Sequence, residues 1–159
     1  MSSAPTFTLG AIELRRIALP LVSPFRTSFG VETDRDILLV RLELIDSNGT
    51  ITEGWGECVA LAEPTYSPEY VDGAQHVMLS HLIPAVRQAG PVDAAGATRA
   101  MAHFHGHPMA KGAIEMAILD AQLRSTGTSF ADFLGATPLT TPSVLSSGLP
   151  DTVHPALPH

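Results

Sequence analysis

Basic clusters, paired cysteines and long apolar runs are all missing from this 159-residue chain. It carries 9 Lys and Arg against 16 Asp and Glu, a formal net charge of −7, and its only lysine is Lys111. Binding to nucleic acid requires a positive footprint that displaces counterions from phosphates, so nucleic acid is not an expected partner. No apolar stretch approaches the roughly 20 residues that cross a bilayer, and no membrane span is expected. The start, Met1 to Thr6, has neither a basic nor an apolar leader segment, so no secretory signal is read there. Cys58 has no intramolecular partner, which fits a reducing compartment and a cytoplasmic location. Charged residues make up only 16% of the chain, below the usual quarter, whereas 45% are apolar. Such a composition supports one domain with a real core and a surface partly covered by something else.

What is present reads first as strands. Residues 1–8 are expected to be disordered. Residues 9–19 place Ile12, Leu14, Ile17 and Leu19 in strand order, with the alternation broken at Arg15-Arg16, where a bulge is expected. Residues 20–35 hold Pro20, Pro24 and Gly30 among scattered polar groups, and read as a loop. That loop retains Phe25 and Phe29, which must pack on something, so it is a candidate lid. Residues 36–45 alternate again through Val40, Leu42 and Leu44, and Asp46 to Gly49 is a hairpin signal. Thr50 to Val59 returns as a third strand, giving an antiparallel meander. Gly54 and Gly56 flank Trp55, marking a bulge or a close backbone approach. Trp55 itself reads as a core anchor, with a ligand platform as the alternative.

The second half is helical. Ser67-Pro68-Glu69 resembles a helix start, and that helix is expected to end before Pro84. Asp93 caps a second helix reaching about Phe104. Pro108 opens a third, closed by Gly127, with Ala110, Ala113, Ala117 and Ala121 forming a small-residue stripe. Ser129 to Leu134 is a last short helix. Residues 138–159 contain five prolines and no periodicity, and are expected to be a disordered tail. The fold class expected is α+β: a three-stranded antiparallel meander followed by a three- to four-helix bundle.

Smaller signals carry little chemistry. His103, His105 and His107 share a side only on a strand, but fall between two helices, so they read as solvated or capping groups. Glu115 and Asp120 lie five apart on the third helix and read as surface charges. Cys58 has no adjacent His or Lys to lower its pKa, and reads as a buried structural thiol.

Four stretches together are more specific: LRRIALPLVSPFRTSFG (14–30), EGWGECVALAEPTYSPEY (53–70), GAQHVMLSHLIPA (73–85) and HPMAKGAIEMAILDAQLRSTGTSFADFLGAT (107–137). Their order and spacing resemble the N-terminal capping domain of the enolase superfamily, in its muconate-lactonizing branch, over residues 9–137. Within that branch they resemble the N-acylamino-acid racemase and o-succinylbenzoate synthase group, the latter activity belonging to menaquinone biosynthesis. The resemblance implies a cap over the mouth of a (β/α)-barrel, where such enzymes keep their chemistry. It also implies a small carboxylate substrate, barrel lysines that move its α-proton, and Mg2+ or Mn2+ held by barrel carboxylates. By motif position the family's substrate contacts fall on Phe25, Phe29, Leu61 and Tyr66, with Arg26 as a carboxylate-positioning candidate. An isolated phenylalanine pair packed on the domain's own sheet is the alternative.

The family's pattern stops after Leu134-Gly-Ala-Thr137. No Lys-x-Lys pair and no metal carboxylate motif occurs in the chain, so no catalytic or metal residue and no cofactor is assigned to it. Residues 138–159 read as frameshift read-through or a truncated product, with a natural stand-alone cap as the alternative. The expected partner is a barrel domain, or a second copy through the surface a barrel would cover.

Overall fold

The computed structural model describes residues 7–28, 30–137 and 142–143. Strands β1 (Thr8–Thr27), β2 (Gly30–Ile45) and β3 (Ile51–Cys58) form one antiparallel sheet in the order β1-β2-β3. Helices α1 (Val71–Val77), α2 (Ile83–Gln88), α3 (Ala94–Met101), α4 (Pro108–Thr126) and α5 (Phe130–Phe133) follow. The expected α+β meander-then-helices architecture is what the chain adopts. Phe7 and Thr8, expected to be disordered, are part of the fold: Phe7 is 4% exposed and exchanges backbone hydrogen bonds with Val92, and Thr8 opens β1. The expected disorder of residues 1–6 lies outside the described residues, as does nearly all of the 138–159 tail.

Period-2 alternation explains the sheet's two faces. Leu38, Val40, Leu42 and Leu44 all point toward the helices and are fully buried. On β3 the same face carries Gly54 and Gly56, and these pack on α4. A Cβ on Gly54 would lie 2.2 Å from the Ala117 carbonyl oxygen, and one on Gly56 2.1 Å from that of Ala113. The glycine pair and the alanine stripe therefore answer each other: both are small so that strand and helix backbones can meet. Gly54 and Gly56 thus mark a close approach, and the β2–β3 register runs unbroken past them.

Several local expectations need correction. Residues 20–27 and 30–35 are not loop; they are the outer part of a long β1–β2 ribbon. Pro20 and Pro24 are compatible with this because β1 is an edge strand, where a missing N–H need not break a ladder. The register is unbroken at Arg15-Arg16, and its irregularities lie instead between Leu9 and Ile12 and between Pro20 and Phe25. Alternation fades at the arginines because the ribbon extends past the helical layer, and Ile17 and Leu19 are exposed.

Trp55 faces away from the core, between Gly54 and Gly56, which face it. Its indole N–H donates to Glu53 at 2.6 Å, and the Arg15 guanidinium lies 5.1 Å from the ring centroid.

The helices differ from expectation at two ends. Pro84 does not stop the first helix: Met78–Leu82 forms a π-helical turn that leads directly into α2, with Pro84 in its first turn. Widening the hydrogen-bond pattern there accommodates a residue without an N–H. Ser67 does not cap a helix, because its hydroxyl accepts from the Glu69 N–H, and α1 begins at Val71. Asp93 does cap α3, accepting from Gly96 N–H at 2.5 Å, although that helix ends at Met101 rather than near Phe104. Gly127 closes α4 in the left-handed conformation, with φ 63°.

Candidate functional site

The ribbon and the segment joining β3 to α1 enclose a groove of about 450 Å³. Phe25, Thr27, Glu32 and Arg35 form the ribbon wall; Val59, Leu61, Thr65, Tyr66 and Ser67 form the opposite wall, with Met109 beside them. Phe25 and Tyr66 are both exposed to it, as is Val59. Phe25, Leu61 and Tyr66 thus come together although they are separated by up to 41 positions. Arg26 does not line the groove. It alternates with Phe25 and Thr27 along β1 and so leaves from the ribbon's other side. Phe29 lies outside the described residues.

Thr27, Val59 and Met109 were not singled out from sequence. Thr27 has a signal, two positions from Phe25, but reading it requires knowing that this stretch is strand; Val59 lies just past the end of β3, two positions before Leu61, with no periodicity to mark it. Met109 arrives from α4 and has no local signal at all.

The second wall is anchored by a buried carboxylate. Glu69, 6% exposed, accepts from Met109 N–H at 2.8 Å and Ala110 N–H at 3.1 Å. These are first-turn donors of α4, whose own N-cap His107 supplies no side-chain hydrogen bond. A residue adjoining the groove segment thus caps a helix starting 39 positions later. Leu61 is fixed as well, its carbonyl accepting from Val71 N–H at 2.9 Å.

Arg16 stands where the ribbon leaves the helical layer. Its Nε donates to the Asp36 carboxylate at 2.8 and 3.0 Å, and its terminal nitrogens reach Asp36 and Asp72. The guanidinium holds the Asp36 carboxyl below the usual carboxylate range.

Acid–base and metal chemistry have little footing here. Cys58 is buried, and desolvation pushes its thiol pKa up, away from a nucleophilic thiolate. Burial also raises the Glu115 carboxyl, which lies on α4 outside the groove. Asp120 does more than decorate the helix, since it accepts from the Trp55 backbone N–H at 3.0 Å and pairs with Arg124 at 2.9 Å. Among the described residues no three His, Cys, Asp or Glu side chains converge to hold a metal ion, so the residues present do not fit a divalent-metal centre. No helix among them is long and apolar enough to cross a membrane.

Residues 11–135 match the model of the mandelate racemase / muconate lactonizing enzyme N-terminal domain. The N-succinylamino acid racemase of Amycolatopsis sp is 50% identical over 145 residues, covering 91% of this chain and 38% of that protein. The o-succinylbenzoate synthase of Geobacillus kaustophilus is 32% identical over 140 residues, covering 88% of this chain and 36% of the synthase. Among solved structures, an enolase-superfamily member from Listeria innocua superposes with a TM-score of 0.73 at 30% identity, over 83% of this chain and 34% of that one. The chain therefore spans about a third of the length of the curated relatives it matches. On the match over residues 11–135 and the shared fold, this chain belongs to the mandelate racemase / muconate lactonizing enzyme N-terminal domain family of the enolase superfamily.

Proposed function

We propose that this chain is the substrate-specificity cap of a metal-dependent racemase or synthase acting beside a carboxylate, and that it does not turn over alone. The observation that carries this reading is the convergence of Phe25, Leu61 and Tyr66 on one groove. Apolar walls with one phenol suit the distal part of a small carboxylate substrate, an N-acyl chain or a succinylbenzoyl ring. The 50% identity to an N-succinylamino acid racemase favours the N-acyl case. Phe29, which lies outside the described residues, joins this set as a proposed contact on the strength of the motif resemblance alone.

Removing a proton beside a carboxylate needs a base within hydrogen-bond reach. The groove wall contributes Glu32 and Arg35 but no lysine or histidine. The family resemblance implies that proton transfer and the Mg2+ or Mn2+ site belong to a barrel domain, over whose mouth the cap closes. This chain's own work is to enclose the distal group, exclude water and select by fit.

The test is complementation. With Mg2+ or Mn2+, the chain alone leaves N-succinylamino acids and the o-succinylbenzoate precursor unchanged, and adding the barrel domain of the Amycolatopsis relative raises turnover above that of the barrel alone. In the mixture, Phe25→Ala and Tyr66→Ala raise KM more than they lower kcat. Turnover by the chain alone overturns the reading. A mixture no more active than the barrel favours a second one, a non-enzymatic association module, which draws on the exposed Phe130, Phe133 and Leu134.

A further inference from the structure

The two walls of the groove belong to different parts of the fold. One is the β1–β2 ribbon. The other is the segment after β3, which ends in Tyr70, the N-cap of α1. Leu61 is tied to the end of that segment by the Leu61–Tyr70 bridge and the Val71 N–H, so the wall moves with the start of α1. The roots of both walls meet at one side chain. Arg16 sits on β1 opposite Leu38, two residues before the Ala18–Asp36 pair and ahead of the register irregularity between Pro20 and Phe25. It grips Asp36 on β2 and Asp72 in the first turn of α1.

We propose that Arg16 is a positioning residue: by joining Asp36 at the ribbon's root to Asp72 at the root of the opposite wall, it sets the width of the groove and hence the size of distal group the cap admits. The selectivity half of this inference rests on the capping function proposed above; the mechanical half does not.

The residue type matters. A guanidinium offers five donors in a planar fork, enough to engage one carboxylate twice and reach a second, whereas a lysine ammonium is a single point charge. Isolated surface ion pairs contribute little, but a two-pronged Arg–carboxylate contact joined to a second carboxylate is the arrangement in which they do count. Asp36 also borders the neighbouring hollow formed by Thr27, Glu32, Arg35, Leu61 and Thr65, so its displacement is felt between the walls. Although the register is irregular between Pro20 and Phe25, β2 runs unbroken from Asp36 to Glu32, where pairing with Phe25 resumes, and so carries the position of the root to the tip.

Two measurements test the halves separately. Nitroxide labels on the full chain at Val22→Cys and Glu63→Cys, both exposed, report the wall-to-wall distance, while buried Cys58 resists labelling. The expected result is a narrow distance distribution that broadens in Arg16→Ala and in Asp72→Asn. Broadening is partial in Arg16→Lys, and the Arg16→Ala/Asp72→Asn pair is no broader than either change alone. Circular dichroism of each variant confirms that the fold persists, and Arg16→Lys serves where Arg16→Ala does not fold. An unchanged distribution overturns the brace whatever the chain's function. In the complemented enzyme, the kcat/KM ratio between N-acetyl and N-succinyl substrates should shrink by about tenfold in Arg16→Ala. Broadening with an unchanged ratio overturns the selectivity half. If the unaltered complemented chain gives no turnover, the capping function falls and the distance result stands on its own.

Discussion

At the scale of single residues, the decisive contacts connect positions that are far apart in sequence. Glu69 is the clearest case. Its carboxylate satisfies two α4 N–H groups that have no intrahelical acceptor, and in doing so fixes the end of the segment carrying Leu61 and Tyr66. Glu69→Ala should lower stability by about 1–3 kcal/mol, because buried donors lose their acceptor. Glu69→Gln should cost less, since the amide oxygen still accepts from one of them. Urea unfolding followed by circular dichroism reads both, and an alanine variant as stable as the parent would show that water replaces the cap. Nothing near Glu69 announces this role. Ser67-Pro68-Glu69 has the residue types of a helix start, and only the tertiary fold diverts its carboxylate to another helix. Phe25, Leu61 and Tyr66 were legible because the resemblance places them. Arg16 was not, since its partners lie 20 and 56 positions away.

At the scale of elements, pattern was a good guide wherever one face is buried and a poor one elsewhere. Val40, Leu42 and Leu44 alternate because the helices cover one side of β2, so that strand could be read directly. The outer ribbon has no such cover, and its prolines and polar residues imitate a loop. Pro84 misleads in the opposite sense, because a π-helical turn absorbs it. The glycine–alanine contact was only half legible: small residues showed on both elements, and nothing in the sequence said that they meet. Its consequence is sharp. Gly56→Ala would place a methyl 2.1 Å from the Ala113 carbonyl oxygen, against backbone rather than a movable side-chain end. Overpacking of this kind typically costs about 1–3 kcal/mol, and the rigid neighbour argues for the upper end. Gly112→Ala, with nothing within 4 Å of the added Cβ, should be neutral or slightly stabilising. Thermal unfolding of the two variants side by side checks the contrast, and equal shifts would contradict the packing described here.

At the scale of the whole molecule, the core and the exposed apolar groups point to a domain folded on its own sheet yet incomplete as a surface. Buried Leu38, Leu42, Met78, Leu82, Ile114 and Ile118 give the sheet and helices a shared interior. Elsewhere Phe130 is 59% exposed, Phe133 49% and Leu134 60%, and Phe130 and Phe133 stack on each other. Scattered apolar residues on a surface are ordinary, and the stacked pair grouped on one short helix end is where the proposed partner surface can be tested. If that partner is a barrel domain, two quantities should change together when the barrel of the Amycolatopsis relative is titrated into the chain. Fluorescence of a hydrophobic dye bound to the chain should fall, and turnover should rise, with the same midpoint. Phe133→Ser should shift both midpoints to higher barrel concentration, whereas Phe25→Ala should alter KM and leave the dye response in place. This division follows from geometry, because Phe133 lies on α5 and Phe25 on the groove wall. A dye signal that falls without any gain in turnover would separate surface burial from catalysis and leave the chain an association module, whereas a signal absent from the outset would count against a partner surface of either kind.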